Sequence, residues 1–310
     1  MSALRTALKE YLALRRALGF RLRYAGTALP QFVRFAEQQG AAFITTALAL
    51  QWAQQPVAAQ PAHWARRLSM VRLFAQYRSA SDPRTEIPPL KLLPHRYRRT
   101  QPYIYSAREI WRLIVAAKRL RSATGLRPCT YATFFALLAV TGMRISEPLA
   151  LNREDVDLGQ GLLTIRRTKF GKSRVVPLHP STQRALRHYA GHRDRSYPHP
   201  QTPSFFLSER GTRLTQWSVR ATFVHLSRQI GLRTPTARRG PRLHDLRHRF
   251  AVRTLVGWYR AGVDVERHLP TLATYLGHVH VTDTYWYLSA TPELLHWATK
   301  RLERLPGDLP

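Results

Sequence analysis

The sequence predicts a mainly α-helical chain of two domains, the second carrying a small β-hairpin or sheet. Three observations carry this expectation. Apolar residues recur at helical spacing through most of the chain, a Pro-rich stretch interrupts that pattern near residues 79–104, and one short pair of segments between 162 and 178 is β-branched and extended instead. A length of 310 residues also suits about two domains.

The elements follow in order. Leu4, Leu8, Tyr11, Leu12, Leu14 and Leu18 mark a first helix, and Leu29, Phe32, Val33 and Phe35 a second. Ala47 to Gln54 and Trp64 to Tyr77 make two further striped segments, so residues 1–80 read as a bundle of four or five helices with basic outer faces. Asp82-Pro83, Ile87-Pro88-Pro89, Leu93-Pro94 and Gln101-Pro102 then remove backbone donors and break any helix. With Arg96, Arg98 and Arg99 among them, residues 81–104 are expected to be an extended basic linker. Ser106-Ala107-Arg108-Glu109 is a capping-box pattern that opens the first helix of the second domain. Tyr131 to Val140 is almost wholly apolar and predicts a buried helix ending at Thr141-Gly142. Leu162 to Thr168 and Arg174 to Leu178 are the arms of a hairpin with a basic tip at Lys169 to Ser173. Beyond it the pattern is mostly helical, apart from an Arg- and Pro-rich loop at 233–242. Thr291-Pro292-Glu293 starts a tail helix striped by Leu294, Leu295, Ala298, Leu302 and Leu305. The sequence has no internal repeat and no low-complexity tract.

Charge points to the partner. Lys plus Arg number 49 against 18 Asp plus Glu, a net charge of +31 that draws polyanions, nucleic acid above all. A membrane surface also attracts basic chains, but no apolar run approaches the roughly 18 residues of a spanning helix, and the opening residues lack a signal-peptide layout. A hydrophobic content of 44% with seven Trp and twelve Phe builds packed cores, which argues against a simple polycation. The single cysteine, Cys129, precludes an intrachain disulfide and a multi-Cys zinc site, fits a reducing cytoplasm, and reads as core filler. The sequence carries no Walker-type Gly-rich loop and no clustered carboxylate site.

The chemistry lies in four stretches: Arg144-Ile145-Ser146-Glu147, the hairpin, Leu243-His244-Asp245-Leu246-Arg247-His248, and Leu276-Gly277-His278 followed by Tyr285 and Tyr287. An Arg guanidinium is a planar, permanently charged fork of donors, and two such forks can clamp one phosphate. His supplies a proton donor or acceptor near neutral pH, and Tyr a hydroxyl able to attack phosphorus. Each residue also has an ordinary explanation. Arg144 and Glu147 could form a local ion pair, His244 and Arg247 a solvated basic face, and Lys169 a charged turn residue. His278 could cap a helix end, and Tyr285 and Tyr287 could be core aromatics. Their order and spacing together point to phosphodiester chemistry.

That combination resembles the tyrosine recombinases, the integrase family that includes phage integrases, Xer-type chromosome-dimer resolvases and transposon-borne recombinases. Thr141 to Glu147 matches the family's first box, with Arg144 as its first catalytic Arg and Glu147 in support. Thr168 to Leu178 matches the family's mobile hairpin, whose catalytic Lys lies eight residues before the Pro and so selects Lys169 over Lys172. Leu243 to His248 matches the second box, giving His244 and the second Arg, Arg247. His278 falls at the family's third His or Trp position, and Tyr287 stands the usual nine residues beyond it, leaving Tyr285 as a packing residue. The resemblance covers about 105–290 by motif, and the first domain fits by size and place alone.

The resemblance implies a two-domain architecture: a helical, SAM-like core-binding domain over 1–80, the linker over 81–104, and a mixed α+β catalytic domain with a tail helix over 105–310. It implies a site-specific recombinase that cleaves and rejoins duplex DNA through a 3′-phosphotyrosine intermediate without cofactor or metal. Tyr287 would attack, Arg144, Arg247 and His278 would hold the nonbridging oxygens, Lys169 would protonate the leaving 5′-oxygen, and His244 would act as acid or base. Arg96, Arg98, Arg99, Lys172, Arg174 and Arg242 would contact DNA, held between the two domains as in a C-shaped clamp. Expected partners are double-stranded DNA with a specific site, three further copies in a synaptic tetramer, and accessory recombinases or directionality factors, with the free chain a monomer or weak oligomer. The family's tail helix packs into a neighbouring protomer, whereas the stripe alone is equally met by the chain's own domain. A bacterial cytoplasmic, nucleoid-associated protein of a mobile element is implied. Type IB topoisomerase-like relaxation and a DNA-binding regulator without catalysis are the alternatives.

Overall fold

The computed structural model describes residues 2–94, 101–166, 173–237, 239–288 and 292–302. The chain divides into two compact units, Met1–Thr100 and Gln101–Pro310.

Among its described residues the first unit has four helices: α1 (Ala3–Ala17), α2 (Ala25–Gln38), α3 (Thr46–Gln54) and α4 (Pro61–Arg78). Their starts are written locally. Ser2 and Thr45 accept backbone hydrogen bonds from Arg5 and Leu48 as N-caps, and Pro61 occupies the first turn of α4, where a missing N–H costs nothing. The apolar stripes meet in one core of Leu4, Leu8, Leu29, Phe32, Trp52 and Phe74. The beginning of the expected linker belongs to this core. Leu93 is buried in it, Asp82 is buried between Arg78 and Arg84, and the Glu86 N–H donates to the Ile44 carbonyl at 2.8 Å. Proline breaks helices but does not stop a segment from packing, so residues 81–94 are a folded extension of the bundle and not a solvated spacer. Arg96, Arg98 and Arg99 lie outside the described residues.

The second unit has a helical core with a small sheet on it. Helix α5 (Ala107–Lys118) opens on the capping box, with Ser106 accepting from the Glu109 N–H and Glu109 accepting from the Ser106 N–H. Helix α6 (Leu126–Thr141) runs through the core, with Phe134, Phe135, Leu137 and Leu138 buried, and packs against α5, α8 and α10. The short α7 (Ser146–Ala150) leads to β1 (Val156–Asp157), β2 (Leu162–Ile165) and β3 (Arg174–Pro177), an antiparallel sheet in the order β1-β2-β3. The predicted hairpin arms pair from Leu162↔Pro177 to Ile165↔Arg174, while Lys169 and Lys172 lie outside the described residues. Helices α8 (Pro180–Ser196), α9 (Gln216–Gln229), α10 (Leu243–Arg260), α11 (Val265–Leu276), α12 (Thr282–Tyr285) and α13 (Pro292–Leu302) complete the unit. Cys129 is half-buried at the edge of the main core. A second cluster joins Val252, Leu255, Leu269, Leu272, Leu276, Tyr287 and Leu294. Through Leu294, 1% exposed, and an Arg260–Glu293 ion pair, the tail helix α13 packs on α10 of its own chain. None of the described helices is long and apolar enough to cross a membrane.

Candidate active site

Two glycines in the left-handed region shape the site. Gly142 ends α6 with φ +61° and Gly277 ends α11 with φ +70°, conformations that cost a Cβ-bearing residue energy. At α11 the turn closes as the His278 N–H reaches back to the Ala273 carbonyl at 2.9 Å and the Gly277 N–H to Thr274. The Tyr275, Leu276 and Gly277 carbonyls are left to outside donors, and arginines take all three.

Arg247, on α10, is 2% exposed and donates to the Gly142 carbonyl at 2.9 Å and the Leu276 carbonyl at 2.7 Å. Arg144, in the turn between α6 and α7, donates to the Gly277 carbonyl at 2.9 Å and to Leu276 at 3.4 Å. Two forks therefore converge on one helix end, where carbonyl oxygens concentrate negative charge. Glu147 is buried beneath them. Its carboxylate accepts from the Arg144 N–H at 2.9 Å and from Arg144 Nη1 at 3.2 Å. Burial pushes the Glu147 pKa up, but the hydrogen bonds and charge of Arg174, with Arg144 behind them, outweigh it and hold the carboxyl below its ordinary value.

Arg174 corrects one expectation. Read as a DNA contact at the hairpin, its side chain is only 10% exposed and both Nη groups grip Glu147, at 2.9 and 2.8 Å. Arg242 also has a local task. It precedes α10, and its guanidinium pairs with Asp245 at 2.8 Å, while Asp245 accepts from the Arg242 N–H.

The tyrosines separate cleanly. Tyr287 is 3% exposed and Tyr285 is 50% exposed, so Tyr285 is a surface side chain and not the packing residue the sequence suggested. The chain from 286 to 288 is a turn, with Tyr287 N–H donating to the Thr284 carbonyl at 3.0 Å, which swings Tyr287 inward. Its ring stacks on His278, 6.0 Å between centroids and 15° between planes. The edge of His248 meets it from another side at 5.3 Å. Tyr287 and the Arg247 guanidinium are electrostatic neighbours in this site.

Three histidines surround this tyrosine-arginine pair. His278 Nδ1 is 2.8 Å from Thr284 Oγ1, which fixes the ring. Burial, reinforced by Arg247 and Arg144, pushes His278 down to about 4. His244, one helical turn before His248, meets that ring at 4.9 Å. Burial and then Arg247 lower the His244 pKa, and burial and then His244 push His248 down to about 4. The site therefore holds neutral imidazoles beside cationic arginines at neutral pH.

Arg144, Glu147, His244, Arg247, His278 and Tyr287 are thus gathered within one unit from four places in the chain: the turn from α6 into α7, α10, the end of α11 and the turn after α12. His248, Thr284 and the inner role of Arg174 were not anticipated. His248 had a signal, since it lies four residues from His244 on one helical face. Thr284 had none.

Residues 106–293 match the model of the phage integrase family. The inferred integrase/recombinase y4rB of Sinorhizobium fredii is 52% identical over 308 residues, 98% of each chain. The tyrosine recombinase XerC of Chlamydia caviae is 32% identical over 237 residues, 74% of this chain and 68% of that one. The chain belongs to the phage integrase family of tyrosine recombinases. Solved structures share its fold. The Tn1549 transposon integrase in complex with transposon right end DNA aligns with a TM-score of 0.69 at 16% identity, covering 98% of this chain and 99% of that chain. A lambda integrase tetramer bound to a Holliday junction aligns with a TM-score of 0.65 at 17% identity, covering 93% and 77%. The recombinase is accordingly an enzyme of site-specific DNA recombination that cleaves and rejoins DNA, and neither topoisomerase-like relaxation nor a non-catalytic regulator is favoured.

Proposed function

We propose that this recombinase cleaves each strand by direct attack of the Tyr287 hydroxyl on the scissile phosphate. The tyrosine oxygen forms a bond to phosphorus, the bond to the 5′-oxygen breaks, and a 3′-phosphotyrosine link and a free 5′-hydroxyl result. A 5′-hydroxyl of a partner strand then reverses the step and restores the phosphodiester, so no outside energy source is required. The observation that carries this reading is the buried Tyr287 ring stacked on His278 at the end of α11, where the Arg247 guanidinium shares the Leu276 carbonyl with Arg144. A phosphate there would meet both forks and the attacking oxygen together.

Each group has a defined task in this reading. Arg144 and Arg247 neutralise the nonbridging oxygens, and His278, fixed by Thr284, adds a donor to them. His244, kept neutral by burial, accepts the phenolic proton, which a free tyrosine with a pKa of about 10 holds at neutral pH. Lys169 protonates the departing 5′-oxygen. Residues 1–80 with the packed extension 81–94 act as the core-binding domain, the residues that follow up to 104 join it to the catalytic domain over 105–310, and both units engage one duplex. The family setting and the net charge of +31 support double-stranded DNA as partner and a tetramer on synapsed sites, with accessory factors setting direction. They also support a cytoplasmic, nucleoid-associated role in a mobile element.

The test is covalent capture. The protein is incubated with fragmented genomic DNA, denatured in SDS and recovered with whatever DNA stays attached. Peptide mapping should find the adduct on Tyr287 and sequencing should return one recurrent site. DNA attached through another residue, or no attachment at all, would refute the reading.

A further inference from the structure

We propose that Arg174 is a positioning residue of the cleavage step: by occupying Glu147 it keeps the Arg144 guanidinium available to the scissile phosphate. The inference rests on reading Arg144 as a grip on that phosphate. Arg174 is the stronger partner of the carboxylate, with two bonds of 2.9 and 2.8 Å against the single 3.2 Å side-chain bond from Arg144. Both arginines also lean on the same helix end, Arg174 Nε on the Tyr275 carbonyl at 2.7 Å and Arg144 on Leu276 and Gly277. Space there is filled, since a Cβ on Gly277 would stand 2.7 Å from Arg174 Nη1 and 3.3 Å from Arg144 Nη1.

The consequence follows from charge. Glu147 is 4% exposed on its side chain and needs a counter-charge to stay ionised. With Arg174 in place that need is met from below, and the looser Arg144 fork keeps donors for a phosphate. Without Arg174 the carboxylate has Arg144 as its remaining arginine partner and draws it inward, away from the substrate. Arg174 thus acts on the reaction without touching DNA, from the first position of β3, just after the segment that carries Lys169.

Single-turnover adduct formation by Arg174→Met and Arg174→Lys tests this on a nicked substrate with either a normal phosphate or a methylphosphonate at the scissile position. The methylphosphonate lacks one anionic oxygen and so needs one guanidinium less. On phosphate, Arg174→Met should slow adduct formation about a hundredfold, the scale of losing one oxyanion donor, and Arg174→Lys less. On methylphosphonate both should come within about threefold of wild type, because only the charge-neutralising donor at the scissile phosphate is misplaced. Equal slowing on both substrates would mean a merely structural role or a contact to another phosphate, and either overturns the proposal. If Arg174→Met fails to fold, the ratio of the two rates in Arg174→Lys decides in the same way. Arg144→Ala is run alongside. Selectivity in Arg144→Ala without selectivity in the Arg174 variants defeats this inference alone, whereas no selectivity in Arg144→Ala defeats the phosphate-grip reading and this inference with it.

Discussion

Arg144 and Arg247, 103 positions apart in the chain, donate to the same acceptor, the Leu276 carbonyl, at 3.4 and 2.7 Å. The end of α11 is therefore the template on which the two forks are aligned. Each arginine has a second carbonyl at a left-handed glycine, Gly277 for Arg144 and Gly142 for Arg247. A guanidinium has five N–H donors, so it can be fixed by carbonyls and still present donors to a ligand.

Gly277→Ala should damage this template more than the fold. The substitution is strained at φ +70° and its Cβ would press on Arg174 and Arg144. A destabilisation of about 1–3 kcal/mol is expected from the backbone conformation, with strand cleavage falling at least tenfold while DNA binding persists. Calorimetry and a cleavage time course read the two effects, and wild-type cleavage would show that the helix end is not the template.

Acid should weaken the fold through the histidines. Burial depresses His248 and His278 from an ordinary 6.5 to about 4, so the unfolded chain binds protons that the folded chain refuses. Their contribution is intact above pH 6.5 and is lost as pH falls from 6.5 towards 4. For His248 the loss is bounded by about 3 kcal/mol, at 1.36 kcal/mol per pKa unit. Unfolding midpoints measured across this window should decline, and His248→Gln should flatten the decline. An unchanged slope in that variant would show that His248 is not a source of it.

The tail helix should stabilise its own chain. Leu294 is 1% exposed in the cluster with Val252 and Leu255, so Leu294→Ala should cost about 2–4 kcal/mol in the catalytic unit by the usual range for a buried leucine. Chemical denaturation at a protein concentration where the chain is monomeric checks this. No loss of stability would mean that α13 does not pack on α10 in the free protein.

Much of this was legible in the sequence because it is local or periodic. The Ser106–Glu109 capping box, the buried α6 with its Gly142 stop and the paired hairpin arms depend on residues a few positions apart. The candidate site residues stood out in the sequence as motifs, and the structure turns Tyr287 inward against His278. What escaped depends on long-range partners. Arg174 looks like any basic residue near a hairpin until Glu147, 27 positions earlier, is seen against it. Prolines at 83, 88 and 89 suggested an open linker, because the sequence does not reveal that Leu93 finds a place in the helical core. Tyr285 and Tyr287 are chemically equivalent in the sequence, and only the turn after α12 sends Tyr287 inward while Tyr285 stays exposed at the helix end.

DNA binding should be strongly salt-dependent. If both units engage one duplex as proposed, the net charge of +31 predicts that log affinity falls with log salt at a slope of about −6 or steeper, near −0.9 for each phosphate neutralised. Titrations between low and physiological salt measure it, and a flat dependence would exclude binding by both units.

The central claim is that Tyr287 is the nucleophile aligned by Arg144 and Arg247. It is tested most directly by adduct formation on a nicked suicide substrate carrying the cognate site, comparing wild type with Tyr287→Phe and Tyr285→Phe. Wild type should give a DNA adduct that survives SDS and disappears with protease. Tyr287→Phe should bind the DNA and give none, since only the hydroxyl is lost, while Tyr285→Phe, changed at a half-exposed ring, should keep most of the activity. An adduct formed by Tyr287→Phe, or its selective loss in Tyr285→Phe, would contradict the account.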